Sequence, residues 1–156
     1  MRFILLDRVT ELVVGRRISA VKALSLSEEY LADHFPDFPV LPGVMMIEAL
    51  VQTAAMLVRR NNDFRQSMIV LSEVRNVKYR SFVKPGNVLR MEIDAQSIEE
   101  QASSFKGAAY VDDRVMVDGR FKLRHFNLAD QDANLAPVDA GLIEEMRERA
   151  RLVGAL

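Results

Sequence analysis

At 156 residues, with 49% hydrophobic and 28% charged composition, the chain reads as one folded globular domain large enough to bury a core. A net charge of -1 supplies no global attraction to nucleic acid or to an anionic membrane. The absence of cysteine excludes disulfides, thiolate nucleophiles and cysteine metal sites, and it fits a cytoplasmic protein.

The N-terminal run Phe3-Ile4-Leu5-Leu6 is too short for a signal peptide and is interrupted at once by Asp7 and Arg8. Residues 8–24 predict two strands turning at Gly15, with Val13 and Val14 before the turn and Ile18, Ala20 and Val21 after it. Three prolines between Ser27 and Pro42 predict a loop, in which Ser25, Ser27, Glu28 and Glu29 could cap a short helical turn. Pro42-Gly43 then opens a helix running to about Arg59-Arg60-Asn61-Asn62, apolar almost all round and so expected at the centre of the fold. Its most apolar part, Val44 to Val58, is too short to span a membrane and contains Glu48, Gln52 and Thr53.

Beyond residue 67 the apolar period shortens to two. Met68 to Arg80 reads as a strand, and Lys84-Pro85-Gly86-Asn87 as a turn. Leu89, Met91, Ile93 and Ala95 alternate with Arg90, Glu92, Asp94 and Gln96. Phe105, Gly107, Ala109 and Val111 continue the alternation, Asp112-Asp113 turns, and Val115, Val117, Gly119, Phe121 and Leu123 return as a long hairpin. Leu142, Ile143, Met146, Ala150 and Val153 recur at helical spacing over Asp139 to Val153, predicting a surface or partner-facing helix. An α+β arrangement follows, with five or six antiparallel strands wrapped around one long helix. The expected division is a single domain over residues 1–126 and a C-terminal extension over 127–156.

The chemistry concentrates at one place. His34, one of two histidines, lies in the proline-stiffened loop, and Glu48 lies 14 positions on inside the apolar helix. Such a pair can perform general acid–base catalysis. Gln52, one turn beyond Glu48, shares its face and could orient it. Burial would raise the Glu48 pKa toward that of a general acid, while an imidazole titrates near neutrality and suits a base. Gly43 at the helix start can bring its N–H to a carbonyl or oxyanion. Each residue also has an ordinary explanation. A histidine among prolines is most often a surface or capping group, and a glutamate in an apolar helix is more often partly exposed or structurally hydrogen-bonded. Spacing alone leaves both readings open.

The run His34-Phe35-Pro36-Asp37-Phe38-Pro39-Val40-Leu41-Pro42-Gly43-Val44, continued by Ile47-Glu48-Ala49 and Gln52, closely resembles the signature of the β-hydroxyacyl-acyl-carrier-protein dehydratases of bacterial fatty-acid synthesis. Leu5-Leu6-Asp7-Arg8-Val9 is similar to that family's opening strand. Asn76-Val77-Lys78-Tyr79-Arg80 and Val83-Lys84-Pro85-Gly86-Asn87 resemble its later motifs, so that the likeness covers roughly residues 3–125.

The resemblance implies a hotdog fold and a homodimer, commonly assembled as a trimer of dimers, with the histidine of one subunit facing the acid of the other. It implies that His34 removes the C2 proton of a 3-hydroxyacyl thioester, that Glu48 protonates the departing C3 hydroxyl, that Gly43 polarises the thioester carbonyl and that Gln52 orients Glu48. Phe35, Pro42 and Val44 become candidates for the substrate tunnel. The simple dehydratase is favoured, because the dehydratase/isomerase branch carries aspartate where this chain has Glu48. No metal or organic cofactor is implied.

An acyl carrier protein is the implied partner. Eight basic residues from Arg59 to Arg90 face only Asp63 and Glu73, and Arg75, Lys78, Arg80 and Lys84 are candidates for docking it. An ordinary solvated face is the bland alternative, and position relative to the tunnel mouth discriminates the two. Where the family usually has glycines around the histidine, this chain has Asp33 and Asp37. Those replacements support one alternative, a catalytically silent acyl-carrier-binding subunit. The other alternative is a thioesterase or enoyl hydratase acting on acyl-CoA.

Overall fold

The computed structural model describes residues 3–156; Met1 and Arg2, the start of the N-terminal run, lie outside the described residues. Six strands form one antiparallel sheet in the order β1-β2-β4-β5-β6-β3: β1 (Arg8–Val13), β2 (Arg17–Ala23), β3 (Met68–Tyr79), β4 (Val88–Ile98), β5 (Ala102–Val111) and β6 (Arg114–Phe126). Three α-helices accompany them: α1 (Tyr30–Asp33), α2 (Gly43–Asn61) and α3 (Ala136–Leu152). The sheet curls around α2 in the expected hotdog arrangement. Gly15 takes φ +74° in the first hairpin turn, a conformation that an L side chain resists.

The core lies between the inner face of the sheet and α2. Ala49, Leu50, Ala54, Leu57 and Val58 are fully buried from the helix, against Ile18, Ala20, Leu89, Met91, Phe105, Ala109 and Leu123 from the sheet. The Phe105 and Phe121 rings stack at 5.6 Å across β5 and β6. Truncating a residue such as Leu50 to alanine costs about 2–5 kcal/mol in sites of this kind.

Two local expectations change. Ser25 and Ser27 do not cap a helix: their hydroxyls bond each other at 2.9 Å and the Ser27 amide donates to Ser25 Oγ at 3.2 Å. The residue preceding α1 is Glu29, whose side chain makes no cap bond. The serines therefore close a turn on themselves, a competing use of short hydroxyl side chains. In the long hairpin the period-two alternation breaks, because Tyr110 faces Val115 while Ala109 faces Val117. The extra residue, Met116, is buried in a β-bulge.

After β6, two short 3-10 turns lead into α3. Asp139 ties this segment down. Its Oδ1 accepts from the Ser67 hydroxyl and from the Leu128 amide (2.9 Å), and its Oδ2 accepts from the Ala129 amide (2.8 Å). Burial pushes this carboxyl up, but the Ser67, Ala129 and Leu128 donors outweigh it and hold Asp139 below the usual carboxylate range. At the other end of α3 the Val9 amide donates to Val153 O at 2.7 Å.

Candidate active site

The site is built where the proline loop meets α2. Pro42 precedes the helix without a side-chain cap, and the Leu41 amide donates to Val83 O at 2.9 Å, fixing the approach. The first amides of a helix have no intrahelical acceptor, so the start of α2 offers N–H groups and a positive dipole end. Gly43 leaves room there for a neighbouring ring. A Cβ on it would lie 2.9 Å from Tyr79 Cε1, so a larger residue would make the ring at the end of β3 shift from the helix start.

Glu48 sits on the second turn of α2 and is half-buried, the partly exposed placement ordinary for a glutamate in an apolar helix, so the burial expected of a general acid is only partial. Gln52 Nε2 donates to Glu48 Oε1 at 2.9 Å, the expected i,i+4 contact. Gln52 is itself fastened: Nε2 also donates to Phe3 O (2.9 Å), and Oε1 accepts from the Leu5 amide (3.0 Å). The N-terminal segment thus locks the amide in one orientation and leaves the second carboxyl oxygen of Glu48 for another partner. Nothing in the sequence marks these backbone partners of Gln52, since backbone groups are the same at every position.

His34 follows α1 directly, with extended backbone. Its ring packs on Phe35, centroids 4.3 Å apart. Among the described residues its imidazole makes no hydrogen bond, and no bond joins it to Glu48. The left-handed residue of this loop is Phe35 (φ +50°), and neither Asp33 nor Asp37 has positive φ. The aspartates therefore carry no backbone strain, and both are exposed. Phe35 and Val44 are 58% and 71% exposed in the single chain. Pro42 is half-buried.

A buried cation steadies the arm that carries His34. Lys22 Nζ lies 2.8 Å from Glu28 Oε1 and 3.3 Å from Asp7 Oδ1, tying β2 to the residues before α1. Burial lowers the Lys22 pKa, but Glu28 and Asp7 outweigh it and raise it above the ordinary value. Burial and the neighbouring Glu28 charge push the Tyr30 hydroxyl up as well.

The four basic docking candidates separate. Lys84 lies beside the loop, its Nζ 5.3 Å from the Phe38 ring, and Phe38 meets Phe82 edge-on at 5.6 Å. Arg80 Nε pairs with Asp118 Oδ2 at 2.7 Å, and Arg75 pairs with Glu73. Lys78 is exposed on β3 opposite Asp118. Only Lys84 is brought to the edge of the His34 loop by a contact of its own.

A cleft of about 230 Å³ reaches Glu48 and Gln52 along the outer face of α2. Its walls include Ala55, Met56, Ile69 and, from α3, Met146 and Arg149. The periodicity of α3 marks Met146 as apolar-facing but does not say what it faces.

The FabA-like domain model matches residues 1–121. The chain belongs to the FabA-like family. A 3-hydroxyacyl-[acyl-carrier-protein] dehydratase FabZ of Clostridium kluyveri is 32% identical over 117 residues, covering 75% of this chain and 81% of that protein. Another, from Pelotomaculum thermopropionicum, is 37% identical over 109 residues, covering 70% and 78%. Among solved structures, a dehydratase heterocomplex ApeI:P from Xenorhabdus doucetiae matches with TM-score 0.71 and 19% identity, over 86% of this chain and 90% of that one. A point mutant of the fluoroacetyl-CoA-specific thioesterase FlK matches with TM-score 0.61 and 14% identity, over 80% and 96%. These two structural likenesses establish the fold. The FabA-like match contains His34, Gly43, Glu48 and Gln52 and ends before α3.

Proposed function

We propose that this chain dehydrates 3-hydroxyacyl thioesters carried on acyl carrier protein, giving trans-2-enoyl thioesters. The observation that carries the reading is a carboxyl group held by a tethered glutamine, one turn from an open helix N-terminus, in a member of this family.

Gly43 N–H polarises the thioester carbonyl, which acidifies C2. His34 takes the C2 proton, the C2=C3 bond forms, and the C3–O bond breaks as Glu48 gives its proton to the departing hydroxyl. Water leaves, His34 ends protonated and Glu48 ionised, and one proton transfer through solvent restores both. Gln52 keeps one carboxyl oxygen occupied, so that the other addresses C3. The chain acts as a homodimer with the His34 of one subunit facing the Glu48 of the other. The lack of any His34–Glu48 bond within one chain and the exposure of Phe35 and Val44 support that pairing. Lys84, with Arg75, Lys78 and Arg80, receives the acidic carrier protein, Lys84 nearest the entrance. Among the described residues no helix is long and apolar enough to cross a membrane.

Incubating purified protein with 3-hydroxyacyl-carrier-protein and following enoyl formation tests the proposal. Turnover abolished in Glu48→Gln supports it. Tight binding of the acyl carrier without turnover overturns it in favour of a silent binding subunit.

A further inference from the structure

We propose that α3 is the outer wall of the acyl-chain site, and that Met146 sets how long an acyl group the chain accepts. This rests on the dehydratase reading above, because it assigns Glu48 to C3 of the substrate. With C3 at Glu48, everything from C4 outward must leave from that point. The cleft on α2 begins there: Glu48 and Gln52 stand on it with Val51, and farther along the helix its walls are Ala55, Met56, Ile69 and Met146, with Arg59 beyond them. From Glu48 to Met56 the helix rises about 12 Å.

The manner in which α3 is held indicates that the gap is built in. Its first turn is tied to Ser67, Leu128 and Ala129 through Asp139. Further along, the Arg147 guanidinium donates to Asp63 O at 3.0 Å, and Val153 O accepts from Val9. Ala150 and Val153 are buried. Met146, between these fastenings, packs only partly on the core and faces the cleft. The cleft opens to solvent and is lined by Arg59 as well as apolar side chains, and a helix free to settle would narrow it. Pinned at several points along its length, α3 cannot. Methionine is unbranched and adaptable, which suits a wall that meets chain ends of different length. Arg149 lies one turn beyond, placing a polar group where an apolar chain should stop.

The test compares kcat/KM of full-length wild type, Met146→Trp and Met146→Ala on 3-hydroxyacyl-carrier-proteins of four, eight, ten and twelve carbons. The quantity read is the long-to-short ratio within each variant, which a fraction of unfolded protein does not alter. Wild type sets the reference ratios. Met146→Trp should lower the ten-to-four-carbon ratio at least about tenfold, the size of a misfit in an apolar pocket, and Met146→Ala should raise the twelve-to-four-carbon ratio. Active wild type with the same ratios in all three proteins overturns the proposal and leaves the dehydratase reading standing. No turnover by wild type at any length overturns the dehydratase reading and this proposal with it.

Discussion

Glu48 and His34 are held in opposite ways. Glu48 stands on a 19-residue helix and is bonded to Gln52, which the backbone of Phe3 and Leu5 grips from outside. His34 ends a four-residue helix, rests on a ring with left-handed backbone, and makes no side-chain hydrogen bond among the described residues. One chain therefore fixes the Glu48 carboxyl but leaves His34 without a hydrogen-bond partner among the described residues, next to the exposed Phe35 and not far in sequence from the exposed Val44. In the proposed dimer the second subunit completes the site. Under the proposed dimer the two regions do different work: α2 would orient a proton donor in advance, and the loop would deliver a base across the interface.

Substitutions test this contrast in decreasing order of effect. Glu48→Gln or His34→Ala should each lower kcat by at least about a hundredfold in an enoyl-formation assay, the usual size of a lost acid or base. Gln52→Ala should reduce kcat by roughly tenfold while KM changes little, since it loosens the carboxyl rather than removing it. It should also destabilise the fold by about 1–3 kcal/mol, because the Leu5 amide and Phe3 carbonyl lose their partner. Lys22→Met frees the His34 arm from β2 and should lower kcat several-fold, with Glu48-side stability less affected than in Gln52→Ala.

The smallest effect lies away from the site and serves as its control. His125 is fully buried, with Nε2 2.7 Å from Ser103 Oγ, and burial, aided by the nearby Arg59 charge, holds it below the ordinary histidine pKa of 6.5. A group with a depressed folded pKa binds fewer protons folded than unfolded. Its contribution is therefore complete above about pH 6.5 and is lost as pH falls through the folded value. His125→Gln should flatten that acid-side loss in Tm measured from pH 7 downward, without altering the long-to-short acyl preference.

The sequence made some of this legible and hid the rest for physical reasons. The span of α2 and the strict alternation of β4 were readable because burial on both is continuous and periodic. The Asp112-Asp113 turn was readable because two polar residues interrupt two apolar runs, and Asp112 takes φ +52° there. Met116 was not, since a bulge adds a residue without changing composition. The serines near residue 26 looked like caps because a cap and a self-closed turn use the same hydroxyls. At the site, His34, Gly43, Glu48 and Gln52 stood out through residue type and resemblance. The grip of Leu5 and Phe3 on Gln52 and the packing of Tyr79 on Gly43 are contacts between residues distant in sequence, and no spacing encodes them. Met146 was visible only as one member of an apolar stripe.

Mixing the two inactive variants tests the division of the site between subunits most directly. When His34→Ala and Glu48→Gln chains are co-expressed in equal amounts, random pairing makes half the dimers mixed. Each mixed dimer has one site with both groups intact, so activity should return to about a quarter of wild type. Activity that stays at the level of the separate variants, in preparations where mixed dimers are demonstrated by mass, would contradict the account and place both groups of each site in one chain.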